Sequence, residues 1–144
     1  MDEKILEHCK MLNQYECYLR EISASPKDRF AGSYLLKGSA ERYLQLAIES
    51  CINIGNRLLS IIQMQKPVKT PETYADIFTE LGKLEILPQK FVNTMIMMVR
   101  FRNRVVHMYW NIDPDQLYTI LNENLGDFTK FREYIVDFMN SEHI

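Results

Sequence analysis

Hydrophobic residues recur along this chain with the three- and four-residue spacing of amphipathic α-helices. The first such run contains Ile5, Leu6, Cys9, Leu12, Tyr15, Leu19 and Ile22. A second run extends from Leu35 to Ile62, and Gly38 marks a point at which this long helix could be interrupted. No segment alternates with period two over the length of a convincing strand. The pattern therefore predicts an all-helical protein.

Turn-forming residues predict where the helices begin and end. The first run closes at the small residues around Pro26, because proline does not continue a helix. Thr70 followed by Pro71 is typical of an N-cap and a first helical position, so a short helix that includes residues 75–81 is expected to begin there. A fourth helix is expected to start near Pro88.

A last helix is predicted to begin at Asp113, with Pro114 at its first position and Gln116 placed as in a capping box. Its apolar residues continue to Phe138. Together these segments predict an all-α bundle of about five helices with an up-and-down core. Because 144 residues with 47% hydrophobic content are enough for one core, residues 1–144 are expected to form a single domain.

Charge and hydropathy limit the classes of partner and the cellular location that the sequence predicts. The formal net charge is −2 at pH 7, which argues against a protein that coats nucleic acid by bulk charge, so any such contact has to be local. No apolar run approaches the roughly 18 to 20 residues that span a bilayer. The first residues, M-D-E-K-I-L-E-H, lack the pattern of a signal peptide. We therefore expect a cytoplasmic protein without a membrane partner.

The three cysteines do not predict a disulfide or a metal site. Cys9 and Cys17 are eight positions apart on one predicted helix, about 12 Å along its axis, which is too far for a bridge. Cys51 is the third, and no C-x-x-C pair occurs. Reduced thiols without a catalytic metal or cofactor are the expectation.

Residues 100–113 read R-F-R-N-R-V-V-H-M-Y-W-N-I-D and combine three arginines with a histidine and two aromatic residues. On a regular helix Asn103 and His107, four apart, share a face, and Arg104 comes near His107 as a supporting residue. Arg102 and Tyr109 are seven apart and point in almost the same direction. Arg102 reaches the imidazole only if the helix loosens around His107.

This combination of side chains suits a phosphodiester. Arginine holds phosphate oxygens with a planar, permanently charged fork, and histidine titrates near neutral pH, with an ordinary pKa of about 6.5. In RNA the 2′-hydroxyl is an internal nucleophile, so proton transfer by His107 and charge stabilisation by Arg102 would suffice without a metal. One histidine does not easily serve both proton-transfer roles. A two-fold dimer would supply the second.

A purely structural interpretation of the same residues stays open at this point. Arginine and histidine near a helix C-terminus complement the helix dipole. Tyr109 and Trp110 could cap the hydrophobic core. Three nearby methionines are typical of core or dimer packing: Met95, Met97 and Met98.

The string R-N-R-V-V-H-M-Y-W-N-I-D, residues 102–113, closely resembles the R-x4-H-x-Y signature of ribonuclease toxins with a HEPN domain, in the HepT-like branch. The similarity extends to residues 40–58, to T-P-E-T-Y-A-D-I-F-T-E-L-G-K-L-E-I-L-P, and to D-P-D-Q-L-Y-T-I-L. It covers most of the chain, and the first helix is its least diagnostic part. Met108 departs from the small residue that is common at this position, which implies less backbone freedom there.

The resemblance implies a HEPN bundle that dimerises and builds a metal-independent endoribonuclease site from both protomers. Arg102 and His107 would be the catalytic pair, Asn103 would position them, and Tyr109 would be the motif tyrosine. Such toxins are commonly paired with a small nucleotidyltransferase antitoxin of the MNT type that transfers AMP from ATP to this tyrosine. Modification of Tyr109 would block the cleft and neutralise its positive charge.

Two other classes of function remain as alternatives. The first is a non-catalytic HEPN dimer whose basic cleft binds a nucleotide or a nucleotidyltransferase partner. The second is a purely structural adaptor. The signature alone does not separate an active nuclease from a domain that has lost its activity.

Overall fold

The computed structural model describes residues 1–107 and 112–144, and within these ranges it contains helices and no strand. The described residues form seven helices: α1 (Glu3–Ser23), α2 (Lys27–Ala31), α3 (Tyr34–Gln63), α4 (Tyr74–Lys83), α5 (Gln89–His107), α6 (Pro114–Glu123) and α7 (Gly126–Glu142). In this part of the chain, none of them is long and apolar enough to cross a membrane. The all-helical prediction is confirmed, but the predicted number of about five helices is wrong.

The two additional helices have separate causes. Helix α2 has five residues between Pro26 and Gly32, which is too short to produce a periodic pattern. The predicted last helix is in fact α6 and α7, which are separated at Asn124 and Leu125. Because Leu121, Leu125 and Phe128 are all buried, the helical spacing of apolar residues continues across this break and hides it.

The predicted helix ends are partly corrected by local hydrogen bonds. Asp113 is the N-cap of α6, as predicted, and its side chain accepts a hydrogen bond from the Asp115 N–H. The N-cap of α4 is Thr73 instead of Thr70. Thr73 has an acid three residues later, Asp76, and the two form a reciprocal capping box that Thr70 cannot form. Helix α3 passes through Gly38 without interruption.

Helix α3 is central, since it contacts α1, α2, α4, α5, α6 and α7. Helices α1 and α3 are antiparallel. Asp2, at the start of α1, binds Arg57 near the end of α3, and Tyr15 stacks on Tyr43 near its start. The hydrogen bond from Arg57 lowers the pKa of Asp2 below its usual range. Helix α7 is joined to α1 through the buried Glu16, which pairs with Arg132.

The close approach of α4 to α3 depends on Gly55. A Cβ at this position would lie 2.6 Å from Ile77 Cγ2 and 3.3 Å from Leu81 Cδ1. Gly38, in the same helix, is exposed, and a Cβ there would meet nothing within 4 Å. The two glycines therefore differ in packing but share a helical backbone.

Alanine should have opposite effects at these two glycines. Gly38→Ala should raise the free energy of unfolding by about 0.5–1 kcal/mol, because alanine is the better helix former. Gly55→Ala should lower it by on the order of 1 kcal/mol, because overpacking against Ile77 outweighs this gain. Thermal and denaturant unfolding of both variants measure the difference, and a stabilising Gly55→Ala would contradict the packing of α4 on α3.

Candidate active site at the end of α5

Arg102 lies on the face of α5 that is directed at the protein interior. It follows Met95, which is fully buried, by seven residues or about two helical turns. The side chain of Arg102 is accordingly only 14% exposed. Arg100 lies on another face of the same helix and is exposed. A guanidinium that is largely removed from water needs a compensating partner.

Glu49 of α3 is the partner of Arg102. The Arg102 Nη2 and Nε atoms donate to Glu49 Oε1 at 3.1 and 3.4 Å, and Gln45 donates to the same oxygen at 3.0 Å. On its other side, Arg102 Nη1 donates to the Asn103 side-chain oxygen at 3.2 Å. Asn103 therefore contacts Arg102, and its role in positioning the catalytic pair stays a prediction.

These bonds use only part of the hydrogen-bonding capacity of the guanidinium. Nε and Nη2 form the edge that faces Glu49, whereas the second edge is formed by Nη1 and Nη2. The guanidinium has five N–H groups, and its bonds to described residues use three of them. One N–H of Nη1 and one N–H of Nη2 therefore have no partner among the described residues and can donate to phosphate oxygens.

Tyr74, the first residue of α4, forms a third contact with Arg102. The guanidinium carbon lies 5.1 Å from the centre of the Tyr74 ring, a distance typical of a cation–π interaction. Helix α5 thus carries the cation, and α3 and α4 each contribute a residue that contacts it. Its position is determined by tertiary packing.

The remaining predicted residues are arranged less closely. His107 is the last residue of α5 and is exposed. Arg104 donates to Gln116 Oε1 of α6 at 3.0 Å, so Gln116 serves this contact, whereas a role in a capping box was predicted. Tyr109, together with Met108 and Trp110, lies outside the described residues. The structure brings Arg102 and Asn103 together and directs Arg104 to a different helix.

Glu49 and Tyr74 are site residues that our sequence analysis did not select. A signal for Glu49 exists, since it is the one acidic residue within the apolar stretch 42–62. A carboxylate in such a stretch needs a cation, and Arg102 at a core-facing position needs an anion. Tyr74 had no comparable signal, because its role depends on where α4 packs.

The described part of the chain contains no group of three or more His, Cys, Asp or Glu side chains that could hold a metal ion. The three cysteines are free thiols. Cys17 is exposed, Cys9 is partly buried and Cys51 is fully buried, and burial raises the pKa of both Cys9 and Cys51.

Solved structures share this arrangement of helices. A tri-AMPylated HEPN toxin from Shewanella oneidensis, solved in complex with an MNT antitoxin, superposes with a TM-score of 0.84 at 24% identity, over 95% of this chain and 99% of that one. YutE from Bacillus subtilis, a cytosolic protein of unknown function, superposes with a TM-score of 0.75 at 20% identity, over 94% of this chain and 90% of that one. The fold is that of HEPN toxins.

The sequence assigns the family within this fold. The model of the ribonuclease HepT-like family matches residues 5–135, and the chain belongs to this family. The tRNA nuclease HepT of Aphanizomenon flos-aquae is 26% identical over 130 residues, which are 90% of this chain and 86% of that protein. The mRNA nuclease HepT of Shewanella oneidensis is 29% identical over 107 residues, 74% of this chain and 77% of that protein.

The three thiols should react with iodoacetamide in the order of their exposure. Cys17 should be alkylated first in the native protein, and Cys9 more slowly. Cys51 should react only after unfolding, because it is buried and its raised pKa leaves little thiolate at pH 8. Peptide mass mapping over time gives the order. Rapid alkylation of Cys51 in the native protein would contradict the packing of α1 on α3.

Proposed function

We propose that residues 1–144 form a single HEPN-like domain that acts as the toxin of a toxin–antitoxin pair and cleaves RNA as an endoribonuclease. Membership of the ribonuclease HepT-like family supports this proposal, as do two relatives named for tRNA and mRNA cleavage. The observation that carries it is the placement of Arg102. This cation is held by Glu49, Asn103 and Tyr74, and the two N–H groups that described residues leave unused would bind a phosphate.

In the proposed reaction, His107 takes the proton of the RNA 2′-hydroxyl, and the resulting oxygen attacks the adjacent phosphorus. The bond from phosphorus to the 5′-oxygen breaks, and that oxygen receives a proton. The products are a 2′,3′-cyclic phosphate and a 5′-hydroxyl. Arg102 stabilises the negative charge that develops on the phosphate oxygens. Because the nucleophile belongs to the substrate and Arg102 supplies the positive charge, no metal ion is needed.

Glu49 has a supporting role in this mechanism. By accepting hydrogen bonds from Nε and Nη2, it fixes the orientation of the guanidinium. Asn103 restrains Nη1 from the other side. A guanidinium held before the substrate arrives loses less conformational entropy when it binds a phosphate.

We further propose that the active form is a homodimer. Each chain brings one His107, and two proton transfers are needed, so a second copy would supply the second imidazole. The outer face of α5 is available for such a contact, because Met97 is 67% exposed and Arg100 and His107 are exposed as well. The methionine lies two turns before Arg104 on this face.

The proposed partner is a nucleotidyltransferase antitoxin of the MNT type, and the proposed place of action is the cytoplasm. A structural neighbour described as a tri-AMPylated HEPN toxin in complex with an MNT antitoxin supports the choice of partner. In the modification, the Tyr109 hydroxyl attacks the α-phosphate of ATP and pyrophosphate leaves. The transferred AMP carries negative charge into a site built around Arg102, which would exclude RNA.

Substitution of either catalytic residue should abolish most of the cleavage. Arg102→Ala and His107→Ala should each lower the rate by about 10²–10⁴-fold, and Arg29→Ala, a change at an exposed arginine of α2, should stay near the wild type. Denaturing gels with labelled RNA, in the presence of EDTA, measure the rate. End-group analysis detects the cyclic phosphate. If wild type and His107→Ala cleave equally, the activity does not depend on this site. If the wild type does not cleave RNA, the non-catalytic nucleotide-binding dimer is favoured.

Loss of the Tyr109 hydroxyl should prevent inactivation by the antitoxin. After incubation with that nucleotidyltransferase and ATP, the wild type should gain the mass of one or more adenylyl groups and lose RNA cleavage, whereas Tyr109→Phe should gain none. Intact-mass spectrometry measures the modification, and Tyr118→Phe, a tyrosine of α6, is the matched control. Equal adenylylation of Tyr109→Phe and the wild type would contradict this role.

A further inference from the structure

Tyr74 combines two properties that its packing role does not require. Its ring lies beside the Arg102 guanidinium, 5.1 Å from centroid to carbon, yet the residue is 47% exposed. We propose that Tyr74 is a stacking platform for an unpaired nucleobase next to the phosphate that Arg102 binds. This inference rests on the proposed ribonuclease function and assigns a residue that selects the form of its substrate.

The placement of the ring is fixed by the local structure. Tyr74 follows Thr73, the N-cap of α4, whose capping box with Asp76 fixes the start of the helix. One turn further on, Ile77 and Phe78 are buried, so they anchor the helix in the core. A ring held at the first position of a well-anchored helix is preorganised for stacking and does not need to be ordered by the ligand.

The chemistry fits a single-stranded ribonucleotide. In RNA the base and its phosphate are separated by one ribose, so adjacent cationic and aromatic side chains can contact both groups of one nucleotide. Proteins recognise unpaired bases by stacking on aromatic rings, and they bind the backbone with arginine. Stacking accepts all four bases. Tyr74 should therefore favour unpaired nucleotides over paired ones without selecting a particular base.

The main competing explanation is that Tyr74 acts only through Arg102. In that case its removal would misplace the guanidinium and weaken phosphate binding whether or not a base is present. The two roles differ in their dependence on the base. An abasic nucleotide keeps the phosphate and ribose but has nothing to stack, so it separates them.

The test measures binding in the His107→Ala background, so that RNA stays intact. The ligands are a short single-stranded oligoribonucleotide, a series in which one abasic site is moved along the same sequence, and the same sequence in a duplex. Tyr74→Leu should weaken binding of the intact strand about tenfold, on the order of one base–aromatic stack. Tyr74→Phe keeps the ring and should bind as the parent does. Tyr34→Leu, a change at another exposed tyrosine, is the matched control.

The inference predicts that an abasic site at one position of the strand weakens binding to the parent protein about as much as Tyr74→Leu weakens binding of the intact strand. In Tyr74→Leu, an abasic site at that position should cause no further loss of affinity. If Tyr74→Leu lowers affinity equally for intact and abasic strands, the stacking role is wrong. If Tyr74→Leu binds the intact strand as tightly as Tyr34→Leu does, the stacking role is also wrong. Cleavage assays of proteins with the native His107 are run in parallel. If the wild type cleaves RNA and Tyr74→Leu binds RNA as tightly as its parent, only this inference is refuted. If the wild type does not cleave RNA, the proposed function is refuted.

Discussion

Burial of α3 is the constraint on which the rest of the structure depends. Every other helix contacts α3, and its inward residues, from Ala40 to Ile62, form the middle of the core. Glu49 is the one acidic residue within residues 42–62, and because it lies between buried neighbours its carboxylate needs a cation as partner. Arg102 supplies the charge from the core-facing side of α5. The packing that makes the fold thus also positions Arg102, the proposed phosphate-binding residue.

The helical class and most of the long elements could be predicted because they depend on local patterns. Apolar spacing located α1, α3 and α5, and Asp113 with Pro114 marked the start of α6. The failures have equally local causes. Five residues are too few for α2 to show a period, and continuous apolar spacing hid the break near Leu125. The proline after Thr70 favours this residue as a cap, but Thr73 has the acid, Asp76, that completes the capping box.

The candidate site was predictable only where it is contiguous in the sequence. Arg102, Asn103 and His107 belong to one motif and could be selected from residue types and spacing. Glu49 and Tyr74 come from two other helices, 53 and 28 positions before Arg102, and their contribution is a product of tertiary packing. The motif therefore contains the residues proposed to react. The residues that hold and flank the guanidinium become visible only in three dimensions.

Family membership, the restrained guanidinium of Arg102 and the exposed His107 fit the proposed mechanism, whose central claim is that two copies of α5 complete a single active site. Mixed dimers test this claim most directly. Wild type and His107→Ala are exchanged at constant total concentration, and RNA cleavage is measured against the wild-type fraction. If both His107 side chains are required, activity falls with the square of that fraction, to about a quarter at equal amounts. A linear fall, to about a half, would show that each chain works alone and would contradict the composite site.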